Sequence, residues 1–278
     1  MKQTEHSVVI SVVIPCYNQA AYLPEALDSL LSQTYPYWEA IVVNDGYPDE
    51  TEGVARDYAK RDDRISYVYK ENGGAGSARN YGIALAKGEY ILPLDADDVI
   101  RPEYMELAMK IFEKQPQTRL VYCQGCFFGE KEGLWELAYQ GYRKLLICNS
   151  IFVSAFFRKT DWEKTGGYDE MMRNGYEDWE YLIRLLDEDS IVCQIPLPLF
   201  SYRIKKHSLN TLAVQSRIYK DTEFYIYTKN RAVYDKVFDA SVLDMFRDRE
   251  KLAEEWDRRM QKKWYKRFFH EYIKRDWK

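Results

Sequence analysis

Long apolar runs are missing from this 278-residue sequence, and no stretch reaches the roughly 20 residues needed to cross a bilayer. Val8–Ile14 is apolar but short, and Pro15 interrupts it at once, so it reads as neither a secretory leader nor a membrane span. Histidine is scarce, at three residues, and cysteine is limited to Cys16, Cys123, Cys126, Cys148 and Cys193. An odd number of thiols scattered over apparent core strands argues against a disulfide framework and fits a reducing cytoplasm. Cys123-Gln-Gly-Cys126 has the spacing of half a zinc site, but no second pair or histidine cluster follows, so it reads as a strand with two buried thiols. Positive charge is not in excess: 44 acids stand against 40 bases, which disfavours generic nucleic-acid binding. The glycine-rich loop Gly73–Gly76 lacks the following Lys-Ser/Thr of a P-loop and is no Gly-x-Gly-x-x-Gly fingerprint. Internal repeats and low-complexity segments are absent.

What is present, over the first two hundred residues, is an alternation of strand-like and helix-like segments, the pattern of an α/β fold with a mainly parallel sheet. Strands are expected at Val8–Ile14, Ala40–Val43, Ile65–Tyr69 and Tyr90–Leu94, with helices near 23–33, near 51–61 and after Gly76. Leu23, Ala26, Leu27, Leu30 and Leu31 would face inward on the first helix, and Ser77 is placed to cap the third. Strands are also expected over Leu120–Phe128 and Ile147–Phe157, with a strand pair or bend over Ile191–Ile204 around Pro196 and Pro198. A helix from Glu177 would bury Trp179, Leu182, Ile183 and Leu186. Periodicity turns helical and more charged after Thr211, which divides the chain into a catalytic domain, 1–210, and a helical extension, 211–278.

The acids carry the chemistry. Asp95, Asp97 and Asp98 follow the apolar run Tyr90–Leu94 and emerge together at the carboxyl edge of that strand. Two unit charges roughly 5 Å apart repel by about 3 kcal/mol at an effective dielectric of ~20. Crowding three of them needs a raised pKa, a basic partner or a bound divalent cation, and the Asp-x-Asp spacing suits Mg2+ or Mn2+ shared with substrate phosphates. Asn18 and Asp45 also end strands, so all these groups belong at one edge, where open α/β sheets bind ligands.

Other candidates each have a plain reading beside the functional one. The Gly73–Gly76 loop either cradles phosphates or is a flexible connection. Arg79 either meets a diphosphate or forms a surface ion pair, and Asp45 either forms a turn or accepts hydrogen bonds from a base or ribose. Glu177 and Asp178 either complement a helix N-terminus or supply a general base. Asp178 neighbours the buried face, whereas Glu177 falls toward the polar side. His207 either completes a metal shell with Asp97 or is an exposed loop histidine.

Taken in order, Val12-Val13-Ile14-Pro15-Cys16-Tyr17-Asn18, Val43-Asn44-Asp45-Gly46, Asn72 through Asn80, Leu94-Asp95-Ala96-Asp97-Asp98, Gly166-Gly167-Tyr168-Asp169-Glu170 and Glu177-Asp178-Trp179 resemble the family 2 glycosyltransferases. Those enzymes have a GT-A fold, a Rossmann-like, mixed but mainly parallel sheet flanked by helices. The resemblance covers about residues 8–207. It departs where the family's Asp-Asp-Gly-Ser turn reads Asn44-Asp45-Gly46-Tyr47-Pro48. It implies an inverting, metal-dependent enzyme of the hexosyltransferase type, using a nucleotide-sugar donor, most often a UDP-sugar, and a glycan or lipid-linked acceptor. By similarity Pro15, Tyr17, Asn18, Asp45, Asn72 and Arg79 would bind the donor nucleotide and Asp95 its ribose. Asp97 would hold Mg2+ or Mn2+, Asp178 would take the acceptor's proton, and Glu177 would support it.

Competing classes are a sugar nucleotidyltransferase, which would want a basic Gly-rich loop after the first strand where this chain has Pro15-Cys16-Tyr17-Asn18, and a non-catalytic sugar-nucleotide-binding protein. Residues 258–278 hold nine Lys/Arg against two acids, with Trp264, Tyr265, Phe268, Phe269, Tyr272 and Ile273 on one half of a helical projection. That pattern suits an anionic membrane surface, the catalytic domain or a second subunit. The expected location is cytoplasmic, peripheral to the inner face of the plasma membrane, in assembly of bacterial surface polysaccharide.

Overall fold

Each short β-branched run near the N-terminus becomes a strand, and each amphipathic repeat between runs becomes a covering helix. The computed structural model describes residues 8–205 and 218–238. The first half contains β1 (Ile10–Cys16), α1 (Leu23–Leu31), β2 (Trp38–Asn44), α2 (Thr51–Arg61), β3 (Ile65–Tyr69), α3 (Ala75–Leu85) and β4 (Tyr90–Pro93). Its four strands lie parallel in the order β3-β2-β1-β4. Every residue of β1 except Pro15, and every residue of β2, is buried. Burial on both faces is why these strands read as continuous apolar runs rather than alternating ones. Helix α3 lies so close to the sheet that a Cβ on Gly82 would run into Val13 and Val43.

After β4 the direction changes. The chain adds β5 (Val99–Ile100), α4 (Tyr104–Lys114), β6 (Thr118–Gly129), β7 (Gly133–Trp135), α5 (Tyr142–Leu145), β8 (Phe156–Arg158), α6 (Lys159–Thr165), α7 (Glu177–Leu185) and β9 (Ile191–Ile204). Strand β8 pairs antiparallel with both β4 and β6, β9 runs parallel to β6, and β5 and β7 pair antiparallel with β9 and β6. The sheet of the described residues is therefore mixed, with order β3-β2-β1-β4-β8-β6-β9-β5. The strand order reverses between β1 and β4, which opens a crevice at their carboxyl ends.

Several expectations need correction. Only Phe156–Arg158 of the expected strand 147–157 is a strand. Ile151, Phe152 and Ala155 are buried from an irregular segment, and the Tyr104 hydroxyl satisfies the Ser154 carbonyl at 2.7 Å. An apolar run reports burial, not strand. The segment 191–204 is one strand rather than a pair. Its register jumps from Cys123↔Ile195 to Gln124↔Pro198, so a bulge absorbs Pro196 and Leu197, and no ladder bond is asked of the proline. Gly74 rather than Ser77 precedes α3; Ser77 lies in its first turn and donates to Glu170 at 2.9 Å. Leu31 is only partly buried. All five cysteines are free, with Cys126 half-buried and Cys148 exposed in a loop rather than on a core strand.

Two compact units emerge, Met1–Thr228 and Lys229–Lys278. The first holds the sheet, α1 to α7 and nearly all of α8 (Ile218–Lys229), whose Tyr225 hydroxyl donates to Asp169 at 2.9 Å. The second contributes α9 (Arg231–Val237) to the described residues. Both helices lie in the stretch expected to be helical; His207 and residues 258–278 lie outside the described residues. Among the described residues no helix is long and apolar enough to cross a membrane.

Candidate active site

Four parallel strands end at one edge, and each delivers a polar turn. Strand β1 runs on through Pro15 to Cys16, two residues past its expected end; beyond it Tyr17 is exposed and meets Tyr47 edge-on at 4.8 Å, and Asn18 takes a left-handed conformation at φ 55°. Strand β2 delivers Asp45, which is 2 % exposed. Its carboxylate accepts hydrogen bonds from Lys70 Nζ (2.8 Å), Gly73 N–H (3.0 Å), Gly74 N–H (2.8 Å) and Asn72 Nδ2 (3.3 Å). Two amides of the glycine loop are therefore committed to Asp45 rather than open to a phosphate. Gly46, at φ +79°, completes this turn; a Cβ there would stand 2.7 Å from the Asn72 backbone nitrogen.

Arg79, on α3, is no surface ion pair. It is buried, and its guanidinium bridges Asp95 at 2.7 Å and Glu177 at 2.5 Å, with the Tyr168 ring 5.6 Å away. Burial would favour the neutral form, but Asp95 and then Glu177 outweigh it and hold the guanidinium firmly charged. The expectation that Glu177 faces the polar side is corrected. Tyr176 enters α7 with φ 65°, and the first turn is set so that Glu177 is buried against Arg79. This bridge ties the end of β4 to the start of α7.

Asp178, next to Glu177, is half-buried. Its Oδ2 accepts from Asn149 Nδ2 at 3.3 Å and its Oδ1 from the Trp179 N–H at 2.8 Å. Burial, and then the charge of Glu177, push its carboxyl up to about 6. It is thus ionised at neutral pH yet basic for an aspartate, which suits a general base.

The acids after β4 find basic partners. Lys205 Nζ lies 2.6 Å from Asp97, whose carboxyl is raised by burial and by the charge of Asp95. Asp98 is fully buried, accepts the Arg203 N–H at 2.9 Å and is raised well above the carboxylate range by burial and then by Asp97 and Asp95. The described residues contain no group of three or more His, Cys, Asp or Glu side chains that could hold a metal. Mg2+ and Mn2+ nevertheless suit this edge. Asp95 keeps 30 % of its side chain in contact with solvent and Asp97 offers a hard oxygen donor, from which a divalent ion would have to displace the Lys205 ammonium. One or two carboxylates plus substrate phosphates make a sufficient shell for such ions.

Lys70, Lys205 and Asn149 were missed in the sequence reading. The first two follow strands that end at the acidic edge, where compensating charge is required; Asn149 has no sequence signal.

Residues 11–168, more than half of the chain, match the family described as "Glycosyl transferase family 2". An uncharacterized glycosyltransferase of Rickettsia typhi is 49% identical over 124 residues, 44% of this chain and 38% of that protein, so the chain spans well under half the length of this relative. Among solved structures, Staphylococcus aureus TarS 1–349 in complex with UDP-GlcNAc superposes with TM-score 0.63 at 19% identity, over 73% of this chain and 60% of that one. The mannosyltransferase PcManGT of Pyrobaculum calidifontis, in complex with GDP-Man and Mn2+, gives 0.58 at 19% identity over 76% and 61%. These likenesses establish the GT-A fold.

Proposed function

The chain belongs to glycosyl transferase family 2, and on that premise we propose that it moves a hexosyl group from a UDP-sugar to a hydroxyl of a glycan or lipid-linked acceptor, with inversion at the anomeric carbon. The observation that carries this reading is the Asp95–Arg79–Glu177 bridge. It ties the acidic end of β4 to the first turn of the helix that carries Asp178, which supports a leaving-group site and a base serving one crevice. Pro15, Tyr17, Asn18, Asp45 and Asn72 line the strand ends where the nucleotide is bound, and Asp95 faces its ribose. Arg79 acts by orienting Asp95 and Glu177. Asp178 accepts the proton of the acceptor hydroxyl, a role that typically contributes about 10²–10⁴-fold. Glu177, by its charge, keeps Asp178 basic. Asp97, with His207 as a further ligand, would hold Mg2+ or Mn2+, whose charge would stabilise the departing diphosphate. The ligands of TarS (UDP-GlcNAc) and PcManGT (GDP-Man, Mn2+) support a nucleotide-sugar donor and a divalent ion.

The catalytic unit we assign to 1–210 and the helical extension to 211–278. The setting is assembly of bacterial surface polysaccharide at the cytoplasmic face of the plasma membrane, with the basic segment 258–278 touching lipid or a second copy of the chain. A thermal-shift screen of UDP, GDP, ADP and their sugars, with and without Mn2+, tests the function. UDP should raise the midpoint when Mn2+ is present; no response to any nucleotide would sink the proposal.

A further inference from the structure

Three elements meet around one ammonium at the acidic edge. Strand β8 runs antiparallel to both β4 and β6, so β6 and its parallel neighbour β9 point the same way as β4 and end at the same edge. Lys205 follows the last residue of β9 there. Its Nζ lies 2.6 Å from Asp97 Oδ2, after β4, and 3.1 Å from Gln19 Oε1, after β1, with the Tyr22 ring 5.1 Å away. An ammonium has three N–H donors, and these contacts with described residues use two of them. The neighbouring bases are placed differently. Arg79 is buried and shared between two carboxylates, Lys70 anchors the Asp45 turn, and the Arg203 guanidinium is turned onto Glu25 and the Asp97 carbonyl. Lys205 is the base whose carboxylate partner is also the expected ion ligand.

We propose that Lys205 is a donor-binding residue: its ammonium hydrogen-bonds an oxygen of the donor's diphosphate, moving off Asp97 when a divalent ion takes that carboxylate. This inference rests on the function proposed above and adds a residue to its donor site. Charge explains the need. Asp97 lies one residue from Asp98 and two from Asp95, so an anion brought to this turn meets repulsion unless a cation shares the space. A lysine suits the exchange, because its charge rides on a flexible four-carbon stem and can turn between acceptors. The guanidinium of Arg79, by contrast, is locked in its bridge. Ion and ammonium thus compete for Asp97 but act together on the diphosphate. Removing the ammonium should weaken the binding of UDP and strengthen that of the bare ion, two effects of opposite sign from one substitution. A lysine that only shielded Asp97 would give the second effect without the first.

The test is calorimetric titration of the full chain with UDP in EDTA, beside electron paramagnetic resonance of Mn2+ alone, on wild type, Lys205→Met and Lys205→Gln. The glutamine can still donate to Asp97 and so keeps the turn held while the charge is gone; thermal midpoints report an intact fold in each sample. Wild type should bind UDP in EDTA about tenfold more tightly than either variant, the scale of one charge-assisted hydrogen bond. Mn2+ alone should bind severalfold more tightly to Lys205→Met than to wild type. Equal UDP affinity in all three proteins, UDP bound only when Mn2+ is present, or Mn2+ held no more tightly by Lys205→Met would overturn the inference and leave the proposed function standing. A chain that responds to no nucleotide in either condition would instead remove the function, and the role of Lys205 with it.

Discussion

Asp178, with its carboxyl pushed up to about 6, is the residue where the proposed base chemistry and the stability of the fold meet. Transfer should fall about tenfold per pH unit below 6, as the base is protonated, and level off above it. Asp178→Asn should lower kcat by about 10²–10⁴-fold and abolish that acid limb; a variant with wild-type turnover would disqualify the residue as the base. Stability runs the other way. The folded pKa lies above the usual carboxylate value of ~3.9, so the native state holds its proton more tightly than the unfolded chain, and stability drains away as pH rises from about 4 to about 6. Asp178→Asn escapes that loss and should have the higher urea midpoint at pH 8, with the gap closing near pH 4. Arg79 makes the opposite case. Arg79→Met leaves Asp95 and Glu177 charged without their partner, and should cost on the order of 3 kcal/mol by urea denaturation, moderated because Asp95 reaches water. An unchanged midpoint would contradict the bridge's structural role. The sequence left Arg79 between a diphosphate contact and a surface ion pair; its buried pairing was not readable, because a helix residue does not announce which carboxylates fold over it.

At the scale of elements, two helical glycines separate propensity from packing. Gly53 lies in α2, where an added Cβ would meet only the flexible end of Glu50 at 3.4 Å. Gly53→Ala should therefore stabilise by about 0.5–1 kcal/mol, the helix-entropy gain. Gly82 lies in α3 against Val13 and Val43, and Gly82→Ala should destabilise by about 1–3 kcal/mol despite the same gain in propensity. Thermal midpoints moving in opposite directions would bear this out; two parallel shifts would not. The first three strands and helices were legible because each buries a long, regular pattern. The second half was less so. Most of the apolar residues of 147–157 are buried without forming a strand, and 191–204 stays one strand by bulging at Pro196. In both places the local pattern reports burial, and neighbouring elements choose the backbone.

For the whole molecule, the slight acidity of the chain hides an uneven distribution, with nine bases against two acids in 258–278. Flotation with liposomes rich in anionic lipid should carry up the full chain more than a 1–257 truncation, and the difference should shrink as salt screens the charges. Equal flotation would discard lipid contact for that segment.

The sequence by itself determined the α/β alternation, the placing of Asn18, Asp45, Asp95 and Asp97 at strand ends, and the family resemblance, because these follow from periodicity and motif order along the chain. Tertiary structure decided which charges pair: Lys70 with Asp45, Lys205 with Asp97, and Arg79 with both Asp95 and Glu177. It also placed Asn149 beside Asp178, at the margin of a cleft that Asn149 lines. Electrostatic partnership depends on distance and burial, and in this chain the partners lie from 16 to 108 positions apart, beyond the reach of any local pattern.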